Sequence, residues 1–290
     1  MATFTQWVTG ARVRTLPNSV APVIVGAGAA AAVSAFSLTR TLLALLVALA
    51  LQVGVNYAND YSDGVRGTDA DRVGPLRLVG SGLVPAGAVR TAAFACFGVA
   101  AVAGLVLVAI SGFWWLLLVG AACIAAAWFY TGGERPYGYS GWGEVAVFLF
   151  FGLVAVLGTQ YVQAGRVSWA AVAGAVAMGA FSAAVLVANN LRDVPTDAET
   201  GKRTLAVLLG EANTRLLYGA LVVLPFAMTL LIAVSQRWAL VAVLAGALLA
   251  PAVKRVVNGG RGMELVPVIK QTGMAMLAWA VLTGAALGWG

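Results

Sequence analysis

Thr41-Leu-Leu-Ala-Leu-Leu-Val-Ala-Leu-Ala-Leu-Gln-Val-Gly-Val-Asn-Tyr-Ala-Asn-Asp-Tyr-Ser-Asp63 is the stretch that decides the fold. Its first part is an almost unbroken apolar run, close to the roughly 20 residues a helix needs to cross a bilayer. Its last part, from Asn56 to Asp63, sets carboxamides and carboxylates three or four residues apart. On a continuing helix that spacing puts the side chains on one face. A second apolar segment ends in the same manner, in Asn189-Asn190-Leu-Arg192-Asp193-Val-Pro-Thr-Asp197.

Outward from these two stretches, the chain is apolar throughout. Of 290 residues, 61% are hydrophobic and only 10% charged, against about 25% charged in ordinary globular chains. Nine apolar runs are long enough to span: 18–36, 41–59, 91–110, 113–130, 144–163, 168–190, 214–235, 238–257 and 270–289. Nine such runs leave too little polar surface for a soluble domain, so the expected fold is an all-α membrane protein, one polytopic domain over residues 1–290. The net charge of +7 invites a nucleic-acid reading, but the cations sort by membrane side. With nine spans, 15 of the 18 Lys and Arg residues fall on the side of the N-terminus; only Arg40, Arg166 and Arg237 fall opposite. The positive-inside rule then predicts a cytoplasmic N-terminus and an external C-terminus.

Before the first span, Phe4, Trp7 and Val8 followed by Arg12 and Arg14 suit an amphipathic helix lying on the cytoplasmic face. Five tryptophans, Trp114, Trp115, Trp142, Trp169 and Trp238, stand at span ends and suit interfacial anchoring. Cys96 and Cys123 fall inside spans, where packing is the expected role. The absence of histidine removes His-based acid–base chemistry and His-ligated zinc or haem. No Walker A loop or GxGxxG turn is present.

External connections are short and cytoplasmic ones long, which places the chemistry on the cytoplasmic side. The first motif offers Asn59, Asp60 and Asp63, with Asp69 and Asp71 beyond; the second offers Asn189, Asp193 and Asp197. Acids and amides at the mouth of a helical bundle are costly to desolvate without a cation. Oxygen ligands of this kind suit Mg²⁺, and two such helix ends brought together would hold a diphosphate. Pro195 predicts a kink or loop before Asp197. Arg66, Arg72 and Arg77 follow the first motif, and Arg192, Lys202 and Arg203 surround the second, as a bound diphosphate requires. A third loop, Tyr130-Thr-Gly-Gly-Glu-Arg135-Pro-Tyr137-Gly-Tyr139, is strongly aromatic, and aromatic faces stabilise an electron-deficient carbon.

At these residues the chain resembles the UbiA-type intramembrane prenyltransferases, and within them the 1,4-dihydroxy-2-naphthoate polyprenyltransferases. The anchors are Ala11-Arg12-Val-Arg14-Thr15-Leu16-Pro17, the first motif through Gly67-Thr-Asp69-Ala-Asp71-Arg72, the Arg135-Pro136-Tyr137-Gly138-Tyr139 turn, and the second motif through Gly201-Lys202-Arg203-Thr204. The wider superfamily commonly carries another Asp four residues after the one matched by Asp63; here that position is Gly67.

The resemblance implies nine helices around a central cavity. It also implies transfer of a polyprenyl chain from its diphosphate to the naphthoate ring, with loss of CO₂ and diphosphate to give demethylmenaquinone. The expected Mg²⁺ ligands are Asn59, Asp60, Asp63, Asn189, Asp193 and Asp197, with Lys202 joining the acids in catalysis. Arg72, Arg192 and Arg203 are expected to hold the diphosphate, and Arg135 the acceptor carboxylate. Tyr57, Tyr61, Tyr130 and Tyr139 would shield the allylic cation or position the ring. Expected partners are the polyprenyl diphosphate, the naphthoate and membrane lipid, and no nucleic acid. Two rivals stand beside this: a sister prenyltransferase using 4-hydroxybenzoate, a chlorin or haem, and a cation-coupled transporter. Transporters place their ionisable residues near the bilayer midplane, whereas the acids here stand at cytoplasmic helix ends.

Overall fold

The computed structural model describes residues 2–67 and 76–289, so Asp69, Asp71 and Arg72 lie outside the described residues. The described chain is helical, with no strand. Helix α1 spans Phe4–Gly10 and α2 Pro17–Ala31. Next come α3 (Leu38–Arg66), α4 (Ala86–Ser111) and α5 (Leu116–Phe129). Helices α6 (Gly143–Ala164), α7 (Trp169–Glu199), α8 (Leu205–Ala233), α9 (Arg237–Val257) and α10 (Gly262–Trp289) complete the bundle.

All nine expected apolar segments are therefore helical, but only seven are long and apolar enough to cross a membrane unaided. The exceptions are α2 with 15 residues and α5 with 14. At ~1.5 Å per residue, both fall short of a ~30 Å hydrocarbon core. Apolar sequence continues past each end, yet the backbone turns: Ser34 takes a left-handed φ of 58° after α2. The start of α5 is delayed by the turn after Gly112, which has φ 80°.

The most enclosed span is α7, 72% buried over its apolar window against 22–39% for the other six, which makes it the central helix. Small residues allow this. A Cβ on Gly152 of α6 would stand 2.6 Å from the Cα of Gly179 on α7, so only glycine permits that approach. Beside this contact, Phe148–Val154 within α6 is wound as π-helix, a local bulge common near functional sites. The outer helices instead present Leu42, Leu46, Val102, Leu118, Leu216 and Val223 outward, as a lipid solvent requires.

At the end of the bundle away from the acidic motifs, Arg40 donates to the carbonyls of Ile110, Val162 and Gln163 at the C-terminal ends of α4 and α6. A cation there also complements the helix dipoles. The five expected anchor tryptophans are each more than half exposed at helix ends. Helix α1 is not merely laid on a surface. Phe4 is exposed, but Trp7 packs edge-on against Tyr57 of α3 and Gly10 is buried.

One expectation is corrected. Helix α7 does not break at Pro195 but continues to Glu199. Proline deletes one donor only, and the Thr196 hydroxyl takes the Asp193 carbonyl in the same turn. Asp193 and Asp197 therefore stay on one helical stripe.

Candidate active site

The site forms where the long helices α3 and α7 end and the connection from Tyr130 to Trp142 crosses them. Because α3 continues to Arg66, Asn59, Asp60 and Asp63 all project from regular helix. Gly67, with φ 72°, then ends it in a left-handed cap.

Asp63 is the meeting point. Its carboxylate is 3% exposed and pairs with Arg77 at 3.0 Å and with Lys202 at 3.6 Å. The Tyr139 hydroxyl donates to the same oxygen that Lys202 approaches, and Arg77 takes the other. Three chain segments thus converge on one acid: the segment after the first motif, the aromatic turn, and the loop after the second motif. Lys202 also lies 4.7 Å from the Tyr139 ring centroid, and the Arg66 guanidinium 5.5 Å from it. The Arg203 backbone N–H donates to the Tyr139 carbonyl at 2.9 Å, while its side chain is exposed.

Asp60 is 1% exposed and faces a different task. Its two oxygens accept the backbone N–H groups of Leu78 at 2.8 Å and Val79 at 3.0 Å. Asn59 accepts from the Thr131 hydroxyl, tying α3 to the start of the aromatic turn. Arg66 clamps the same turn by donating to the carbonyls of Thr131 and Gly133. On α7, Arg192 holds both oxygens of Asp193 at 2.6 and 2.7 Å and reaches Asn189 at 3.0 Å. Asp197 is buried at the end of that stripe, and its carbonyl accepts from the Lys202 N–H.

The aromatic candidates separate. Tyr139 is at the centre, and Tyr130 stands edge-on to Tyr137 in the same turn. Burial, and then the Asp63 carboxylate, push the Tyr139 phenol far above the usual tyrosine range. Burial, then Glu144, do the same for Tyr130, and burial pushes Tyr137 up to about 12. These phenols stay protonated at any working pH, so Tyr139 is a fixed donor rather than a base. Tyr61 lies away from Asp63, stacked on Trp128 with Arg90 over its ring. Tyr57 gives its hydroxyl to the Trp7 carbonyl and packs with Leu78 and Phe97. Arg135 is exposed at the tip of the turn.

Reading the sequence missed three members: the clamp made by Arg66, Thr131 as partner of Asn59, and Glu144, whose buried carboxylate accepts from Asn190 at 2.8 Å. Arg66 was visible only as one cation among several. Glu144 carried a signal, being an isolated acid at the start of an apolar run.

Acid-ended transmembrane helices with buried cations between them form a candidate intramembrane site whose charges suit an anionic group. The model of the UbiA prenyltransferase family matches residues 19–261, and the chain belongs to that family. It is 57% identical over 290 residues to a 1,4-dihydroxy-2-naphthoate octaprenyltransferase of Mycobacterium tuberculosis, covering 100% of this chain and 99% of that one. To the Escherichia coli protein of the same name it is 38% identical, covering 92% and 89%. The fold is matched by a UbiA homolog from Archaeoglobus fulgidus bound to GPP and Mg²⁺, with TM-score 0.64, 13% identity and coverage of 98% and 100%.

Proposed function

We propose that this chain transfers a polyprenyl group from its diphosphate to 1,4-dihydroxy-2-naphthoate in menaquinone synthesis. It is a multi-pass membrane enzyme, an aromatic polyprenyltransferase. The observation that carries the reading is the convergence on buried Asp63 of Arg77, Lys202 and Tyr139 from three separate segments. The acceptor assignment is supported by the full-length likeness to enzymes named for that acceptor.

The donor set fits Mg²⁺. The two motifs offer oxygen ligands alone, and Mg²⁺ is typically held by one or two carboxylates with substrate phosphates supplying further ligands. Asn59, Asp63, Asn189, Asp193 and Asp197 would hold it, with Asp60 a sixth candidate whose oxygens already take two backbone donors. When bound, the ion supplies Lewis-acid stabilisation of the leaving diphosphate.

The chain's own residues do the rest. Lys202, Arg192, Arg203 and Arg77 supply positive charge to the diphosphate, and Arg72, outside the described residues, is assigned the same role. The faces of Tyr139 and Tyr130 shield the allylic carbon as its bond to oxygen breaks. The electron-rich ring is the nucleophile, so no protein nucleophile is needed. A carbon–carbon bond forms at the carboxylate-bearing carbon. The pair from the broken bond to CO₂ then returns to the ring, leaving demethylmenaquinone in its quinol form. Arg135 orients the acceptor carboxylate from the tip of the turn. Residues 1–290 work as one domain in the cell membrane, with the N-terminus and the site cytoplasmic and the C-terminus outside.

The test is turnover by purified protein in nanodiscs with dihydroxynaphthoate, a polyprenyl diphosphate and Mg²⁺. Diphosphate and CO₂ should appear in equal amounts, and chelation should stop both. Prenylation of 4-hydroxybenzoate in place of the naphthoate would establish the sister reading instead.

A further inference from the structure

Glu144 stands at the first turn of α6 and is 5% exposed. A carboxylate so placed is costly unless every lone pair is used. One oxygen is used: the Asn190 amide donates to it at 2.8 Å. The other is buried and has no hydrogen-bond partner among the described residues. Its surroundings belong to the site already described. Asn190 follows Asn189, which Arg192 holds, and Leu186 of α7 and the Tyr130 hydroxyl border the adjacent Gly143. A Cβ on Gly143 would stand 3.2 Å from that hydroxyl. Tyr130 is in electrostatic reach of both Glu144 and Asp63, so Glu144 flanks the same aromatic turn that Asp63 anchors. The reaction as derived above gives Glu144 no role.

A buried acceptor beside a site for a hydroxylated ring has a matching donor in the substrate. We infer that Glu144 is a specificity-determining residue for the acceptor: its second oxygen accepts a hydrogen bond from a ring hydroxyl of the hydroxyaromatic substrate. Asn190 holds the first oxygen and so fixes the direction of the second. The inference rests on the prenyltransferase reading, because it takes the acceptor to be a hydroxyarene. The physical consequence is selection by hydroxyl rather than by ring size. A site that hydrogen-bonds a substrate hydroxyl rejects the analogue lacking it, since its own polar group is then left unpaired.

The experiment measures inhibition constants of 1-hydroxy-2-naphthoate and of naphthalene-2-carboxylate, which has no hydroxyl, on wild type and on Glu144→Gln in nanodiscs. In Glu144→Gln the amide oxygen still serves Asn190, and the position facing the substrate becomes a donor. Wild type should favour the hydroxylated acid by about ten- to hundredfold, the usual effect of a hydrogen bond to a charged group. Glu144→Gln should lose most of that preference while keeping its affinity for polyprenyl diphosphate. A purely structural clasp to Asn190 would weaken both acids equally, and that result overturns the inference. Equal binding of the two acids by wild type overturns it as well. Turnover of dihydroxynaphthoate by wild type is scored separately. Its absence would remove the prenyltransferase reading along with this one, whereas turnover with unchanged discrimination removes this one alone.

Discussion

Asp60 and Asp63 stand one helical turn apart, and burial treats them alike, yet their partners differ in kind. Asp60 spends its oxygens on two backbone N–H groups, which fasten the chain at Leu78 and Val79 to α3. Asp63 spends its oxygens on Arg77, Lys202 and Tyr139. Replacement should separate these jobs. Asp60→Asn keeps one acceptor and points an amide donor at a backbone donor, so it should lower stability by about 1–3 kcal/mol. Thermal unfolding in detergent reads this, and an unchanged midpoint counts against the clamp. Asp63→Asn should abolish turnover outright while the protein still inserts in the membrane. Near-normal activity at ordinary Mg²⁺ would remove Asp63 from the site. Both acids could be found from their spacing, and Lys202 as a cation beside the second motif. Their division of labour could not, because the Asp60 partners lie 18 and 19 residues further along the chain.

Among elements, the decisive contact is α6 against α7. Gly152 and Gly179 meet with no room for a methyl group, and the same pair of helices brings Glu144 and Asn190 together at the end that carries the acidic motif. Gly152→Ala should therefore cost about 1–3 kcal/mol through overpacking. Gly158→Ala in the same helix meets nothing within 4 Å among the described residues, so it should be neutral or slightly stabilising, since alanine is the better helix former. Equal melting temperatures for the two variants would show that helix propensity, not close approach, matters here. The richness of α7 in Gly and Ala announced close packing, but not the partner. Pro195 misled in the opposite sense. Its local rule predicts a break, whereas one missing donor near a helix end is a small loss beside the burial of the whole helix.

The whole molecule is governed by its solvent. Cysteines placed at Gly133 or Lys202 should react with an impermeant label only from the cytoplasm, and one at Trp289 only from outside. A cytoplasmic Trp289 would mean that α2 or α5, the two short helices, fails to cross. Membrane class, the positions of the helical segments and the two acidic motifs were all determined by the sequence alone. Lipid accepts only chains that satisfy their backbone internally, and runs of apolar residues report this directly. Tertiary structure alone decided that α7 is the central helix, that Tyr57 and Tyr61 turn away while Tyr139 turns in, and that Glu144 meets Asn190. These are matters of rotation and crossing between helices that are apolar nearly all round. Such helices carry no amphipathic stripe to set their facing, so small-residue contacts and a few buried polar pairs settle it instead.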